Sequence, residues 1–266
     1  FQKLLEIKIM QNENIIKKIK NIIALKGYIT IYEFLDISLY DKKDGFYKIN
    51  HELVGSKGHF ITGPEISQMF GELISIWLID FFKKTDYKKI NLIELGPGNG
   101  TLMSDIIRVL KNFHSYDLKL NLYFLENSQH LKFKQKKIIE NHDIQKFWFK
   151  DINSLEKKLT NYPCVFIANE FFDCLPINQY ILKGGKQWDE KNWEKLCVKL
   201  NNGKFYFDNI SLSNNEKILI KQILQNFKVT FKKDEKTRFL EISPKTNIII
   251  SRISKIIEKY NGLTLF

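Results

Sequence analysis

The segment Ile90–Met103 restricts the possible folds of this chain more than any other. An apolar run, Ile90-Asn-Leu-Ile-Glu-Leu95, carries Glu94 near its end and is followed by glycines at 96, 98 and 100. Leu102, Met103, Ile106, Ile107 and Leu110 then recur at helical spacing. The pattern reads as strand, tight turn, helix. Glycine serves where a turn needs positive φ or where backbone must touch a ligand, and the helix that follows points free N–H groups back at the turn.

The spacing narrows what such a turn can hold. A dinucleotide fingerprint needs a third glycine at position 101, and that residue is Thr101. No Gly-Lys-Ser/Thr follows, so a phosphate-cradling P-loop is excluded. The remaining common tenant is S-adenosylmethionine. Its methionine end carries an ammonium group, which an acidic residue ahead of the turn, Glu94, attracts and which a pyrophosphate lacks. The next apolar run, Leu120-Asn-Leu-Tyr-Phe-Leu125, ends in Glu126, and a carboxylate at that strand tip can accept both ribose hydroxyls.

From residue 90 onward strands and helices alternate, which predicts an α/β fold with a mostly parallel sheet. The apolar strand Pro163-Cys-Val-Phe-Ile-Ala168 runs into Asn169-Glu-Phe-Phe-Asp-Cys-Leu-Pro176, placing Asn169, Glu170 and Asp173 at the carboxyl edge, where open α/β sheets bind ligands. Asp151, after the short strand 146–149, reads either as an adenine contact or as a helix cap. Ahead of the glycine strand, residues 1–25 and 30–39 form helices, the second opened by a Thr30/Glu33 capping box. The segment Gly58–Gly71 mixes apolar, turn and hydrogen-bonding residues and runs into a helix that Pro64 begins; Thr62 and Gln68 on it are candidate donors to the cofactor. After 176 the register changes: 178–182, 193–200 and 204–207 read as strands, the last two joined by the hairpin turn Asn201-Asn-Gly203. A helix follows near 213–227, and Phe239–Pro244 leads into another over 245–260. This gives an expected division into an N-terminal helical segment with a cofactor-covering loop, 1–85, and a cofactor-binding domain, 86–266, with a hairpin inserted near 185–210.

Composition removes several function classes. The net charge is +12, yet only three of the 42 basic residues are arginine (Arg108, Arg238 and Arg252) and the lysines are dispersed, so direct nucleic-acid binding is not favoured. Cys164, Cys174 and Cys197 have no CxxC spacing and form no ligand-spaced set with the five histidines, which suits a reducing compartment and no zinc. No apolar run reaches membrane-spanning length. The chain opens without methionine and closes on an apolar run that reads as mid-strand, so it is expected to be a piece of a longer protein.

Several stretches together resemble the MidA-type methyltransferases, which include a mitochondrial complex I assembly factor and bacterial relatives. They are Asp44-Gly-Phe-Tyr47, Gly58-His-Phe-Ile-Thr-Gly-Pro-Glu-Ile-Ser-Gln-Met-Phe-Gly-Glu72, Glu94-Leu-Gly-Pro-Gly-Asn-Gly-Thr-Leu-Met103, Asn169-Glu-Phe-Phe-Asp-Cys-Leu-Pro176 and Glu241-Ile-Ser-Pro244. Where that family commonly has Asp, Ser, Arg and Pro, this chain has His59, Gly63, Asn99 and Lys42. The resemblance implies a Rossmann-like class I methyltransferase fold whose sheet continues past residue 266. It also implies methyl transfer from S-adenosylmethionine to a protein arginine, in the mitochondrial member on a complex I core subunit, and hence a mitochondrial matrix or bacterial cytoplasmic location. Candidate cofactor contacts are Glu94, Gly96, Pro97, Gly98, Gly100, Thr101, Glu126, Asp151 and Asn169, with Thr62 and Gln68 from the covering segment. Glu170, seconded by Asp173, is the candidate to pair with the acceptor guanidinium, and Asn169 to orient the methionine end. Two rivals stand beside this reading. A base methyltransferase would carry prolines where Glu170 and Phe171 stand; an assembly chaperone would bind the cofactor without turnover.

Overall fold

The computed structural model describes residues 12–49, 62–112, 118–140, 142–183, 192–226 and 237–266. Residues 1–11 of the opening helix expected over 1–25, residues 58–61 of the covering segment expected over 58–71, with His59, and residues 185–191 of the hairpin expected near 185–210 lie outside the described residues. Contacts divide the chain into two units, one within 1–49 and 175–245, the other within 50–174 and 246–266. This differs from the expected division at 85/86. The strands between 178 and 242 build a sheet of their own with the N-terminal strand at 29–30, whereas the helices over 63–85 pack beside the glycine loop's own helix.

The unit holding the glycine loop is a five-stranded sheet of order β10-β5-β2-β3-β4, parallel throughout. Its strands are β2 (Lys89–Leu95), β3 (Lys119–Leu125), β4 (Gln145–Phe149), β5 (Cys164–Ile167) and β10 (Gly262–Leu265). Alternate side chains of β2 feed two cores, as a strand covered on both faces requires. Ile90 and Leu92 join Leu78, Phe82, Met103 and Ile106 from helices α5 (Gln68–Thr85) and α6 (Thr101–Asn112). Ile93 and Leu95 join Leu155, Ile253 and Ile256 from α8 (Ile152–Glu156) and α10 (Pro244–Tyr260). The buried Asn91 between them is satisfied, donating to Thr160 O (2.9 Å) and Tyr162 O (3.1 Å) while Thr160 Oγ1 donates to its Oδ1 (2.7 Å). At the sheet edge β10 runs beside β5, closely enough that a Cβ on Gly262 would lie 1.8 Å from Cys164 O.

The helix expected to start at Pro64 is two helices. A short α4 (Gly63–Ile66) ends at Ser67, which is extended (φ −148°, ψ 125°) and caps α5 through its Oγ on the Met69 N–H. A serine side chain offers the backbone an alternative to continuing a helix, and it does so here.

The other unit is a five-stranded antiparallel sheet. Its path is β1 (Ile29–Thr30), β7 (Trp193–Asn201), β6 (Asn178–Lys183) and β9 (Thr237–Ile242), with β8 (Lys204–Ser211) paired to β7. The inserted hairpin is β7–β8, and its turn has Asn202 at φ 46° and Gly203 at φ 78°, the paired positive angles of a type I′ turn. The stretch before residue 244 is a strand, β9, pairing six residues with β6. Helix α1 (Glu13–Lys26) buries Ile15, Ile19 and Ile23, and α2 (Ile31–Tyr40) starts at Thr30 with the expected capping box; both pack with Val198 of β7. Helix α3 (Phe46–Ile49) follows α2, and α9 (Asn214–Asn226) buries Ile220 and Leu224 against Tyr180 and Trp193.

Candidate cofactor and catalytic site

The site is built at the carboxyl edge of the parallel sheet, where β2, β3 and β5 end together: Glu94 is in register with Phe124 and Ile167. The loop leaving β2 turns sharply, with Gly96 at φ 64°, Gly98 at φ 55° and Gly100 at φ 92°. Only glycine holds such a run without strain. Two of the glycines are also packed against. A Cβ on Gly96 would meet Phe171 Cδ2 at 2.7 Å, and one on Gly100 would meet Gln135 Cα at 3.2 Å. Pro97 closes the turn, its carbonyl accepting from the Gly100 N–H at 2.8 Å.

Glu94 is 3% exposed, and its Oε2 has no hydrogen-bond partner. Burial, and next the Glu126 charge, push its pKa up to about 8. Glu126 stands one residue past β3, and burial raises its pKa as well. Its Oε1 accepts from the Ser128 N–H (2.7 Å) at the start of α7 (Gln129–Ile138), and its Oε2 accepts from Gln135 Nε2 (3.0 Å). Two carboxylates this close, one orphaned in the dry end of a sheet, are an electrostatic liability that a cationic ligand with hydroxyl groups would relieve. The ammonium and ribose of S-adenosylmethionine have that chemistry, so the residues present fit the cofactor.

Sequence reasoning missed two groups that shape this loop. Gln135 is fully buried on α7; it donates to Gly98 O (2.8 Å) and accepts from Trp148 Nε1 (2.9 Å) on β4. A glutamine at the buried spacing of Leu131 and Ile139 was the available signal. Glu65 of α4 accepts from Thr101 Oγ1 (2.7 Å) and Asn99 Nδ2 (3.3 Å), tying the Pro-Glu-Ile-Ser segment to the glycine loop.

The remaining candidates fall in different surroundings. Asn169 is half-buried and Glu170 exposed beyond β5. Phe171, next in the chain, is the residue that covers Gly96, so the Asn-Glu-Phe segment borders the loop. Glu170 is held at φ 52°, a left-handed conformation that costs a residue with a Cβ about 1 kcal/mol or more. Asp173 is exposed in the 3₁₀ turn Phe172–Cys174. Asp151 caps α8, its Oδ1 accepting from the Ser154 N–H at 2.9 Å, and that bond lowers its pKa. Thr62 occupies the N-cap position of α4 without a side-chain cap bond. Gln68, exposed at the start of α5, sets its amide end against the Arg108 guanidinium, where only an amide oxygen can accept, and Arg108 is also paired with Glu72 at 2.8 Å. Among the described residues no group of three His, Cys, Asp or Glu is placed to hold a metal ion, and no helix is long and apolar enough to cross a membrane.

The family model described as "Putative S-adenosyl-L-methionine-dependent methyltransferase" matches residues 73–266. The Danio rerio protein arginine methyltransferase NDUFAF7, mitochondrial, is 26% identical over 279 residues, covering 96% of this chain and 61% of its own length. The Xenopus tropicalis protein of that name is 30% identical, with 90% and 57% covered, and the Homo sapiens one 28%, with 90% and 55%. The chain therefore spans about three fifths of the length of these relatives. Among solved structures, a protein from Burkholderia thailandensis bound to S-adenosyl-homocysteine superposes with a TM-score of 0.70 at 17% identity, over 93% of this chain and 60% of that one.

Proposed function

We infer, because this chain belongs to the family of S-adenosyl-L-methionine-dependent methyltransferases, that it binds S-adenosylmethionine at the glycine loop and transfers its methyl group to a protein arginine. The observation that carries the reading is the buried Glu94, unpartnered at Oε2 beside Glu126 and a loop of three left-handed glycines. The acceptor class is taken from the relatives, which are named protein arginine methyltransferases. The resemblance extends it to a respiratory complex I subunit, and the location to the mitochondrial matrix or a bacterial cytoplasm.

When bound, the cofactor supplies an electrophilic methyl on a sulfonium. The protein's task is to hold nucleophile and methyl in line, which can lower a barrier by several kcal/mol through positioning alone. Glu94 would receive the ammonium, Glu126 the ribose hydroxyls, and Asn169 the methionine end. A guanidinium is a weak nucleophile while its charge is delocalised. A carboxylate paired with it draws positive charge to one side and leaves density on the attacking nitrogen. Glu170 is the candidate, with Asp173 second. Its left-handed backbone supports a functional role, since strain of this kind persists mostly where geometry is being held for a purpose.

Calorimetric titration with S-adenosylmethionine tests the first step. Micromolar binding that is lost in Gly98→Val and Glu126→Ala is expected. Absence of binding by the wild-type chain overturns the reading. For transfer, arginine peptides and complex I subunits are assayed with labelled cofactor, and Glu170→Gln is expected to bind the cofactor normally yet abolish incorporation.

A further inference from the structure

The glutamine inside α7 does more than fill space under the glycine loop. Indole N–H can only donate, so the 2.9 Å contact from Trp148 Nε1 fixes the oxygen of the Gln135 amide toward Trp148. The nitrogen must then face the other way. Its two hydrogens meet Gly98 O at 2.8 Å and Glu126 Oε2 at 3.0 Å, so both donors of the amide are used. Glu126 receives one short bond on each oxygen, from Ser128 N–H on Oε1 and from Gln135 on Oε2, and the Asn127 N–H faces the same carboxylate. A carboxylate has about four acceptor sites, two per oxygen. The two short bonds, one on each oxygen, fix the plane of the carboxylate, and each oxygen is able to accept from more than one donor.

We propose that Gln135, with its polarity set by Trp148, is a positioning residue that aims the Glu126 carboxylate so that one lone pair on each oxygen meets a vicinal diol, making the site selective for ribose over deoxyribose. The inference rests on the reading of Glu126 as the ribose carboxylate. Four features carry it: the complete burial of Gln135, the one-way indole donor, the shared bond to the glycine loop, and the contact of the Gln135 Cα, Cβ and Cγ with the space above Gly100. The Phe124–Trp148 stack, 5.0 Å between ring centroids, holds the indole in its place. Without the amide, Glu126 would lose its Oε2 anchor, keep only backbone N–H partners from Asn127 and Ser128, and gain freedom about its last torsion, which is a broad one.

The test is calorimetry with S-adenosylhomocysteine and its 2′-deoxy analogue on the wild type, Gln135→Met and Trp148→Phe. Methionine keeps the volume of glutamine and removes its polar end; the Trp148 variant leaves Gln135 in place and frees its amide to turn. The wild type is expected to prefer the ribose ligand roughly ten- to hundredfold, the worth of a hydrogen bond to a charged group. In Gln135→Met that preference should collapse to within about threefold, mostly through loss of the ribose ligand, and in Trp148→Phe it should fall partway. Equal weakening of both ligands, or an unchanged ratio in variants that still bind, overturns the proposal and leaves cofactor binding intact. Wild-type protein that binds neither ligand overturns the cofactor reading and this one with it. Should Gln135→Met fail to fold, an unaltered preference in Trp148→Phe is sufficient to refute the mechanism.

Discussion

Replacing Glu94 by glutamine separates the stability of this protein from its cofactor binding, and the two should move in opposite directions. The Glu94 carboxyl has its pKa raised from 4.5 to about 8 in the fold. Below pH 4.5 it is protonated in both folded and unfolded chains and contributes no difference. As the pH rises through 4.5 the unfolded chain ionises while the folded one does not, so stability falls until the pH passes about 8 and is level beyond. At about 1.4 kcal/mol per pH unit the full loss is on the order of 5 kcal/mol, and on the order of 3 kcal/mol has gone by pH 7. Glutamine keeps the shape and cannot ionise. Urea unfolding at pH 4.5, 6, 7 and 8.5 should therefore show the variant near the wild type at the acid end and more stable by about 2 kcal/mol or more at the alkaline end. The slope that remains comes from groups such as Glu126, whose pKa is raised in the same sense. Affinity for S-adenosylmethionine should fall by roughly ten- to hundredfold in the same variant, for want of a partner to the ammonium. The wild type should release a proton on binding at pH 7, read as a dependence of the calorimetric enthalpy on the buffer's ionisation heat. A variant no more stable than the wild type at pH 8.5, with an unaltered pH slope, would show that Glu94 is already ionised and compensated, and would sink this account.

Three further outcomes follow from the geometry. Glu170→Gly should stabilise the fold by about 1 kcal/mol in thermal or urea unfolding, since glycine adopts φ 52° freely, while abolishing methyl incorporation; loss of stability would mean the side chain is structural. Gly96→Ala should cost about 2 kcal/mol or more and weaken cofactor binding, because its Cβ would sit 2.7 Å from Phe171 at a positive φ; trimming Phe171 to leucine should recover part of the stability but none of the backbone strain. Asp151→Ala should cost about 1 kcal/mol as a lost helix cap. If Asp151 serves only as that cap, cofactor affinity stays level in calorimetry, and a drop beyond fivefold would assign it to the adenine.

The sheet around the glycine loop was legible because its signals are local. Each of β2, β3 and β5 is an apolar run closed by a polar residue, and three glycines at alternate positions leave few turns to choose from. The capping box at Thr30 was readable for the same reason. What could not be read depends on chain that returns from afar. Gln135 stands in a helix crowded with lysines, and that composition looks like a solvated face until the Gly98 carbonyl and Trp148 arrive from other elements to bury it. Residues 239–244 looked like the approach to a helix because their partner, β6, lies about 60 residues upstream. The single residue Ser67 split a helix that apolar periodicity carries straight through. Glu170 carries no mark in its residue type of the left-handed backbone it adopts, and the absence of a partner for Glu94 Oε2 is a property of three dimensions alone.

The pairing of β1 with β7 has a consequence for how the protein is made. Ile29 is in register with Val198, about 170 residues later in the chain. At synthesis rates of about 5–20 residues per second, the N-terminal helices leave the ribosome roughly 10–30 s before their strand partner exists. Throughout that interval Ile15, Ile19, Ile23 and Ile29, all buried in the finished fold, have their own N-terminal neighbours such as Ile31 and Leu39 to pack on but lack Val198 of β7. The glycine-loop unit, by contrast, can assemble β2, β3, β4 and β5 in order as they emerge, and waits for α10 and β10. Nascent-chain arrest at successive lengths should therefore find protease protection over 90–170 well before protection over 12–40. Within this chain the N-terminal helices are made before the glycine-loop unit and become native after it, and holdase chaperones should engage them in that interval.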